Sequence, residues 1–224
     1  LVRCCRVAGE QALDAHAYEE ALEHFWRALT SREREVVDAE MAGVLFGLGH
    51  AQAATLEQHR RREALSSLVR AFDYYAEVGD VPRAVAVAEY PLTLGLGDPG
   101  MAQLIERALA LVPPDSLEAG RLMCRYGLSL YLETGDYEAA QESLGRALAI
   151  GRHERDAVLE LSALADAAHV DWDASRSQES IDKNLRAIEL ARSLNDPGAE
   201  ASAHAFAAVA LMSIGDLKGS WTHT

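Results

Sequence analysis

The chain contains an internal repeat of about 40 residues. Segments of similar sequence begin at Tyr18, Arg61, Asp98, Tyr137, Ser177 and Leu217, with spacings of 43, 37, 39, 40 and 40 residues. A repeat of this length is typical of stacked helix pairs, because a single pair is too small to bury its own apolar face. The sequence therefore predicts an all-α, right-handed solenoid of antiparallel helix pairs. We expect a single domain over residues 1–224, with five full pairs and a truncated sixth.

Turn signals divide the chain into these helices. Gly79-Asp80, Gly135-Asp136 and Gly215-Asp216 each combine a left-handed helix end with a capping carboxylate. The first helices of the pairs are predicted at 1–14, 38–56, 81–95, 116–134, 156–172 and 197–214. The second helices are predicted at 17–30, 60–77, 99–111, 137–152 and 176–193. No segment alternates polar and β-branched residues over a strand length, so no sheet is expected.

The composition excludes several classes of function. A net charge of −14 disfavours binding to nucleic acid or to an anionic membrane, which depends on Lys and Arg. The longest unbroken apolar stretch, residues 205–212, is too short to span a bilayer. Three cysteines without a signal peptide favour a reducing, cytoplasmic location. Because the chain starts at Leu1 and stops within a predicted helix, we expect a fragment of a larger protein.

The repeats resemble the tetratricopeptide repeat (TPR) over nearly the whole chain. The residues that match are Gly135-Asp136-Tyr137, Ala140, Leu144 and Ala147 in one repeat, Gly9, Tyr18, Ala21, Phe25 and Ala28 in another, and Leu48-Gly49, Ala64, Leu68 and Ala71 in a third that has a short insertion between its helices. Asn184 departs from the pattern where a large apolar residue is expected, and Asp98 replaces Tyr. The period is also longer than the usual 34 residues.

The longer period and the Arg-Ala-Leu-Ala and Arg-Ala-Ile-Glu endings resemble the helical-repeat region of bacterial ATP-dependent LuxR-type regulators of the maltose-activator class. This resemblance implies a non-catalytic interaction or sensor domain in a bacterial signalling or transcriptional regulator. Similar repeats also accompany bacterial cyclases and kinases.

Motifs for chemistry are weak, so no enzyme activity, cofactor or metal is expected. Neither lysine follows a glycine as a phosphate-binding loop requires, since Asp182 precedes Lys183 and Leu217 precedes Lys218. Residues 95–100 match a dinucleotide fingerprint literally, but they follow an apparent helix, so we interpret them as a turn. Asp166, His169 and Asp173 share one helix face, and groove polarity explains them better than a metal site.

The resemblance places the first helix of each pair on the concave face. Mapping the TPR positions onto the chain nominates Arg6, Phe46, His50, Arg83, Tyr90, Arg125, Ser129, His169 and Trp172 as groove residues. Two occupants remain open: a protein or peptide partner, or a small-molecule inducer held directly in the groove. The truncated C-terminal end further predicts self-association, with Met212 and Trp221 near the contact.

Overall fold

In the computed structural model, residues 1–31, 37–57, 61–90 and 100–223 are described, and they contain helices and no strand. The helices are α1 Val2–Asp14, α2 Tyr18–Thr30, α3 Ala39–Thr55, α4 Arg61–Glu77, α5 Val81–Ala88, α6 Met101–Leu109, α7 Leu117–Thr134, α8 Tyr137–Glu154, α9 Ala157–Asp173, α10 Ser177–Leu194, α11 Pro197–Ser213 and α12 Leu217–Ser220, followed by a 3₁₀ turn, Trp221–His223. The predicted all-α fold class is confirmed, and most predicted boundaries agree to within two residues.

The helices group into two compact units, Leu1–Val112 with α1–α6 and Pro113–Thr224 with α7–α12. In the first unit α1 packs on both α2 and α3, and in the second α7 packs on both α8 and α9. Both α1 and α7 therefore contact their own partner and the first helix of the next pair, as expected for helix pairs that share a core. That the whole chain forms one domain stays a prediction.

The predicted Gly-Asp turns have the expected geometry. Gly79, Gly135 and Gly215 have φ values of 75°, 73° and 84°. The Asp136 carboxylate accepts a hydrogen bond from the Ala139 amide at 3.1 Å, and thereby caps α8. Asp80, Asp196 and Asp216 cap α5, α11 and α12 in the same way. Gly is placed where the helix end needs a left-handed residue, and Asp satisfies an amide that lacks an intrahelical partner.

In α2, α4, α6 and α8, one large apolar residue in the middle of the helix fills the space between helices. Phe25, Leu68, Ile105 and Leu144 occupy this position and are at most 1% exposed. Phe25 lies against Gly9 of α1 and Gly47 of α3, and a Cβ atom at Gly9 would come within 2.7 Å of its ring. The small residues therefore make room for the large one, as close packing requires.

In α10 the same position is polar. Asn184 is 1% exposed and donates to the Ser180 backbone oxygen at 2.9 Å. Ser180 in turn donates to the Ala168 carbonyl at 2.8 Å. The amide and hydroxyl thus find partners on their own helix and on α9, which lets them replace apolar residues in the core.

A buried carboxylate network joins α8, α9 and α10. Asp171 is 0% exposed. It accepts hydrogen bonds from the Tyr137 hydroxyl and the Gln141 amide, both at 2.8 Å, and forms an ion pair with Lys183. The pKa of Tyr137 is raised to about 12, mainly by burial and to a lesser extent by the hydrogen bond to Asp171. Three donors compensate the cost of burying this charge.

Two expectations need correction or lie outside the described residues. Helix α5 ends at Ala88 and not at residue 95, because Glu89 and Tyr90 leave the α-helix as a turn. The predictions that concern Asp98 and most of residues 95–100 fall on 91–99, which are not described. Cys4 is exposed, while Cys5 and Cys124 are buried as free thiols.

Candidate functional site

A cavity of about 740 Å³ lies within the first unit; we call it the N-terminal cavity. Five of the nine predicted groove residues line it: Arg6, Phe46, His50, Arg83 and Tyr90. The rest of its wall comes from Glu10, Leu13, Asp14, Tyr18, Ala39, Glu40, Gly43, Gly47 and Tyr75. The lining side chains are thus supplied mainly by α1 and α3, with Arg83 from the start of α5 and Tyr90 from the turn after it.

One wall of the N-terminal cavity is aromatic. The Phe46 and His50 rings, one turn apart on α3, meet edge to face with centroids 4.5 Å apart. The Tyr90 ring stacks on His50 with centroids 3.9 Å apart and an interplanar angle of 20°. Burial raises the pKa of Tyr90, and the nearby Tyr18 phenol adds to this shift. Such rings combine apolar area with polar edges, the combination found at binding hot spots.

His50 is held as a neutral imidazole. Burial lowers its pKa to about 4. Its Nε2 atom is buried and has no hydrogen-bond partner among the described residues. An unpaired polar atom of this kind costs free energy in the folded state, and protonation would add a buried charge to that cost.

Ion pairs at the cavity occupy both of its arginines. Arg6 donates from Nε to Glu40 at 3.0 Å and from Nη1 to Glu10. Burial alone would lower the pKa of Arg6, but the hydrogen bonds to Glu40 and Glu10 raise it. The Arg6 side chain crosses Gly43, where a Cβ atom would lie 3.0 Å from its Cδ. The small residue lets the guanidinium reach from α1 to α3.

Arg83 is more exposed than Arg6, with 64% of its side chain exposed against 25%. Its Nη1 is 3.2 Å from Asp80, and its guanidinium stands 5.6 Å from the centre of the Tyr75 ring. Burial raises the pKa of Tyr75, and the positive charges of Arg83 and Arg6 oppose that shift. Both guanidiniums therefore act on the same phenol, that of Tyr75 on α4.

The repeat pattern missed the acidic and phenolic side of the cavity. Glu10 and Asp14 lie four and eight residues after Arg6, on the same face of α1, so helical spacing could have found them. Glu40 and Tyr75 reach the cavity from other helices. Their contribution depends on how α3 and α4 are placed, and no local signal encodes it.

The other four predicted residues lie in the second unit, on α7 and α9. Burial raises the pKa of the Asp166 carboxyl to about 6, and the positive charge of Arg125 opposes part of this rise. Ser129 lies one turn beyond Arg125 and is partly buried. His169 and Trp172 form a ring cluster with Phe206 of α11, at centroid distances of 5.4 and 6.3 Å from Phe206. Arg125 therefore interacts from α7 with α9, and the ring cluster joins α9 to α11.

Trp172 also borders a second cavity, of about 830 Å³, at the turn between α9 and α10. Asp173, Arg176, Glu179 and Ser213 contribute most of its polar groups. The Arg176 guanidinium lies 4.3 Å from the centre of the Tyr137 ring, so Arg176 already makes a cation–π contact within the protein.

Metal and membrane sites were also sought. Among the described residues, no group of three or more His, Cys, Asp and Glu side chains converges as metal ligands. Asp166, His169 and Asp173 therefore share a face without forming such a group. None of the described helices combines the length and the apolar character that a membrane span needs.

Exposed apolar residues gather at the C-terminal end of the described chain. Met212, Ile214, Leu217 and Trp221 are 55%, 51%, 60% and 78% exposed. Self-association through this surface stays a prediction. We expect Met212→Glu to shift a concentration-dependent dimer towards monomer in light scattering, since a charge there opposes apolar contact. A mass that does not change with concentration in the parent chain would contradict self-association.

Comparisons with known proteins identify the fold. No family model matches the chain, and no curated protein matches it significantly. A crystal structure of Rap protein complexed with Competence and Sporulation Factor superposes with a TM-score of 0.61 at 16% identity, over 96% of this chain. A putative kinesin light chain with nearly identical TPR-like repeats from Podosopora anserina gives a TM-score of 0.49 at 13% identity, over 99% of this chain and 90% of the other.

The fold is thus that of TPR-like helical repeats. At 16% identity the likeness to Rap protein extends to the fold alone. The chain spans 60% of the length of the Rap structure.

Proposed function

We propose that this chain is a non-catalytic interaction domain that holds a segment of a protein partner in the N-terminal cavity. The observation that carries the proposal is the convergence of Phe46, His50, Tyr90, Arg6 and Arg83 on one cavity of about 740 Å³. Aromatic and arginine side chains dominate binding hot spots, and the volume suits an extended segment of a few residues.

The charged side chains support a binding role over a catalytic one. Arg6 is engaged by two carboxylates and Arg83 by one. The imidazole of His50 is stacked on Tyr90 and is not hydrogen-bonded to a nucleophile or carboxylate among the described residues. General acid–base or nucleophilic catalysis needs such a pairing of groups, whereas recognition needs only fixed charges and rings.

The proposed setting is a cytoplasmic bacterial signalling or transcriptional regulator. Its support is the repeat period near 40 residues and the resemblance to the helical repeats of LuxR-type regulators. The Rap neighbour adds that a fold of this kind accommodates a bound factor. The net charge of −14 supports a role in which other parts of a regulator contact DNA.

A small-molecule inducer is the alternative occupant. The cavity volume favours it, because ligand sites of this kind usually span about 300–1,000 Å³ and the N-terminal cavity lies in that range. The two occupants differ in how much of the surface around the cavity they would use.

A peptide-display selection tests the main proposal. We expect a random twelve-residue library to yield binders whose affinity falls at least tenfold in Phe46→Ala, because truncating a hot-spot residue costs about 1–3 kcal/mol. Fluorescence anisotropy would measure the affinities, and circular dichroism would verify that the variants remain helical.

Trp26→Ala is the control. Trp26 is an aromatic residue that is 43% exposed and does not line the cavity. A failure to select peptides, or binders that tolerate Phe46→Ala, would contradict the proposal. Small molecules that raise the melting temperature of the parent chain and not of Phe46→Ala would then favour the inducer.

A further inference from the structure

We propose that the N-terminal cavity selects a positively charged peptide segment, one that presents a Lys or Arg side chain next to an apolar or aromatic residue. The inference deepens the proposed function and rests on it. Its basis is the balance of charge in the cavity, the engagement of its arginines and the arrangement of acidic and aromatic groups along its wall.

The cavity is net negative although two arginines line it. Arg6 and Arg83 bring two positive charges, and Glu10, Asp14 and Glu40 bring three negative ones, so the sum is −1. Asp80 beside Arg83 adds another negative charge at the rim. His50 contributes none near neutral pH, because burial lowers its pKa to about 4. A cationic group gains from this potential, and the overall charge of −14 attracts it to the protein.

The arginines are poorly placed to receive an anion. The Arg6 Nε and Nη1 donors are committed to Glu40 and Glu10, and Arg83 is paired with Asp80. An incoming carboxylate would have to displace these partners, with no net gain in ion pairs. The Arg6 triad instead acts as a fixed group of net charge −1.

A cation has an open position at the end of α1. Asp14 is the last residue of α1, and its carboxylate has no hydrogen bond or ion pair within the described residues. The macrodipole of α1 also places partial negative charge at this end of the helix. Glu10 lies one turn earlier on the same face, and Tyr18 begins the next helix; both line the cavity with Asp14.

The aromatic wall supplies the second half of the recognition. Phe46 and the stacked His50–Tyr90 pair give a surface for an apolar or aromatic side chain. The phenol faces of Tyr18 and Tyr90 also favour cations, and the position of Arg83 over Tyr75 is an example within the same cavity. A basic residue adjacent to an apolar one therefore matches both walls.

Three capped peptides that differ at a single position provide the test. Each has an aromatic residue followed by Lys, Gln or Glu in an otherwise uncharged hexapeptide, and each is titrated into the parent chain by fluorescence anisotropy. We expect the Lys peptide to bind at least tenfold more tightly than the Gln peptide and the Glu peptide to bind most weakly. Raising the salt concentration should reduce the difference, since screening weakens charge attraction.

Variants of the cavity sharpen the test. Asp14→Asn should weaken the Lys peptide about threefold to tenfold and leave the Gln peptide unchanged, whereas Asp115→Asn, an exposed position outside the cavity, should change neither. Glu10→Gln combined with Glu40→Gln should reverse the preference towards the Glu peptide, because it frees Arg6 and makes the lining net positive.

The outcomes separate this inference from the proposed function. Binding of the Gln or Glu peptide at least as tight as that of the Lys peptide, lost in Phe46→Ala, would overturn the charge selection and leave the peptide-binding role intact. Equal affinity of the Lys peptide for the parent chain and Asp14→Asn would overturn the placement of the cation. Absence of binding by all three peptides would overturn both.

Discussion

Acidification from pH 7 to pH 4 should destabilise the parent chain by about 2–3 kcal/mol more than it destabilises His50→Leu. The pKa of His50 is about 4 in the folded chain, against 6.5 for the ordinary group. Below pH 6.5 the unfolded state therefore binds a proton that the folded state refuses, so stability falls as the pH falls towards 4. Leucine removes the titrating group and the unpaired Nε2 together.

Urea unfolding followed by circular dichroism, at several pH values between 4 and 7.5, would measure this effect. His153→Leu is the control, because His153 is exposed on α8. The pH dependence of stability that Asp166 contributes has the opposite sign to that of His50. The pKa of Asp166 is raised to about 6, so its contribution to stability is present at low pH and is lost as the pH rises through 6. An equal pH dependence in the parent chain and in His50→Leu would show that His50 is solvated.

Removal of the positive partner of Asp171 should destabilise the second unit by about 3–5 kcal/mol. Lys183→Met leaves a carboxylate that is 0% exposed with two neutral donors, Tyr137 and Gln141. Two polar hydrogen bonds do not compensate the burial of a full charge. Replacing both members of the pair, Asp171→Leu with Lys183→Met, should recover part of the loss, since no charge then remains buried.

Thermal unfolding of the single and double variants would measure this coupling. Asp182→Asn offers a control on the same helix, where the carboxylate accepts a hydrogen bond from Gln178 at an exposed position. A loss below about 1 kcal/mol in Lys183→Met would indicate that water reaches Asp171.

The local features of the fold were predictable from sequence, and the contacts between helices were not. Gly-Asp turns identify helix ends because their chemistry is complete within a few residues. The repeat pattern also nominated Arg6, Phe46 and His50 as groove residues, since these positions recur on first helices, and all three line one cavity. The pairing of Arg6 with Glu40 depends on the distance between α1 and α3, which no local pattern specifies.

The buried polar residues show the same limit. Asn184 interrupts the apolar pattern, and only the structure reveals that its side-chain amide donates a hydrogen bond to the Ser180 carbonyl. Lys183 could be excluded from a phosphate-binding loop, but its partner Asp171 could not be inferred from spacing alone. The sign of the charge in the N-terminal cavity likewise required the positions of Glu10, Asp14 and Glu40 together.

The packing of Phe25 has a consequence for how the sequence can evolve. A Cβ atom at Gly9 or Gly47 would collide with the Phe25 ring, so a larger residue at either position requires a smaller one at position 25. Related sequences should therefore show correlated substitutions at 9, 25 and 47, although these positions belong to three different helices. If α2 were grafted into another helical-repeat protein, we expect the hybrid to fold only if glycines equivalent to Gly9 and Gly47 were introduced with it.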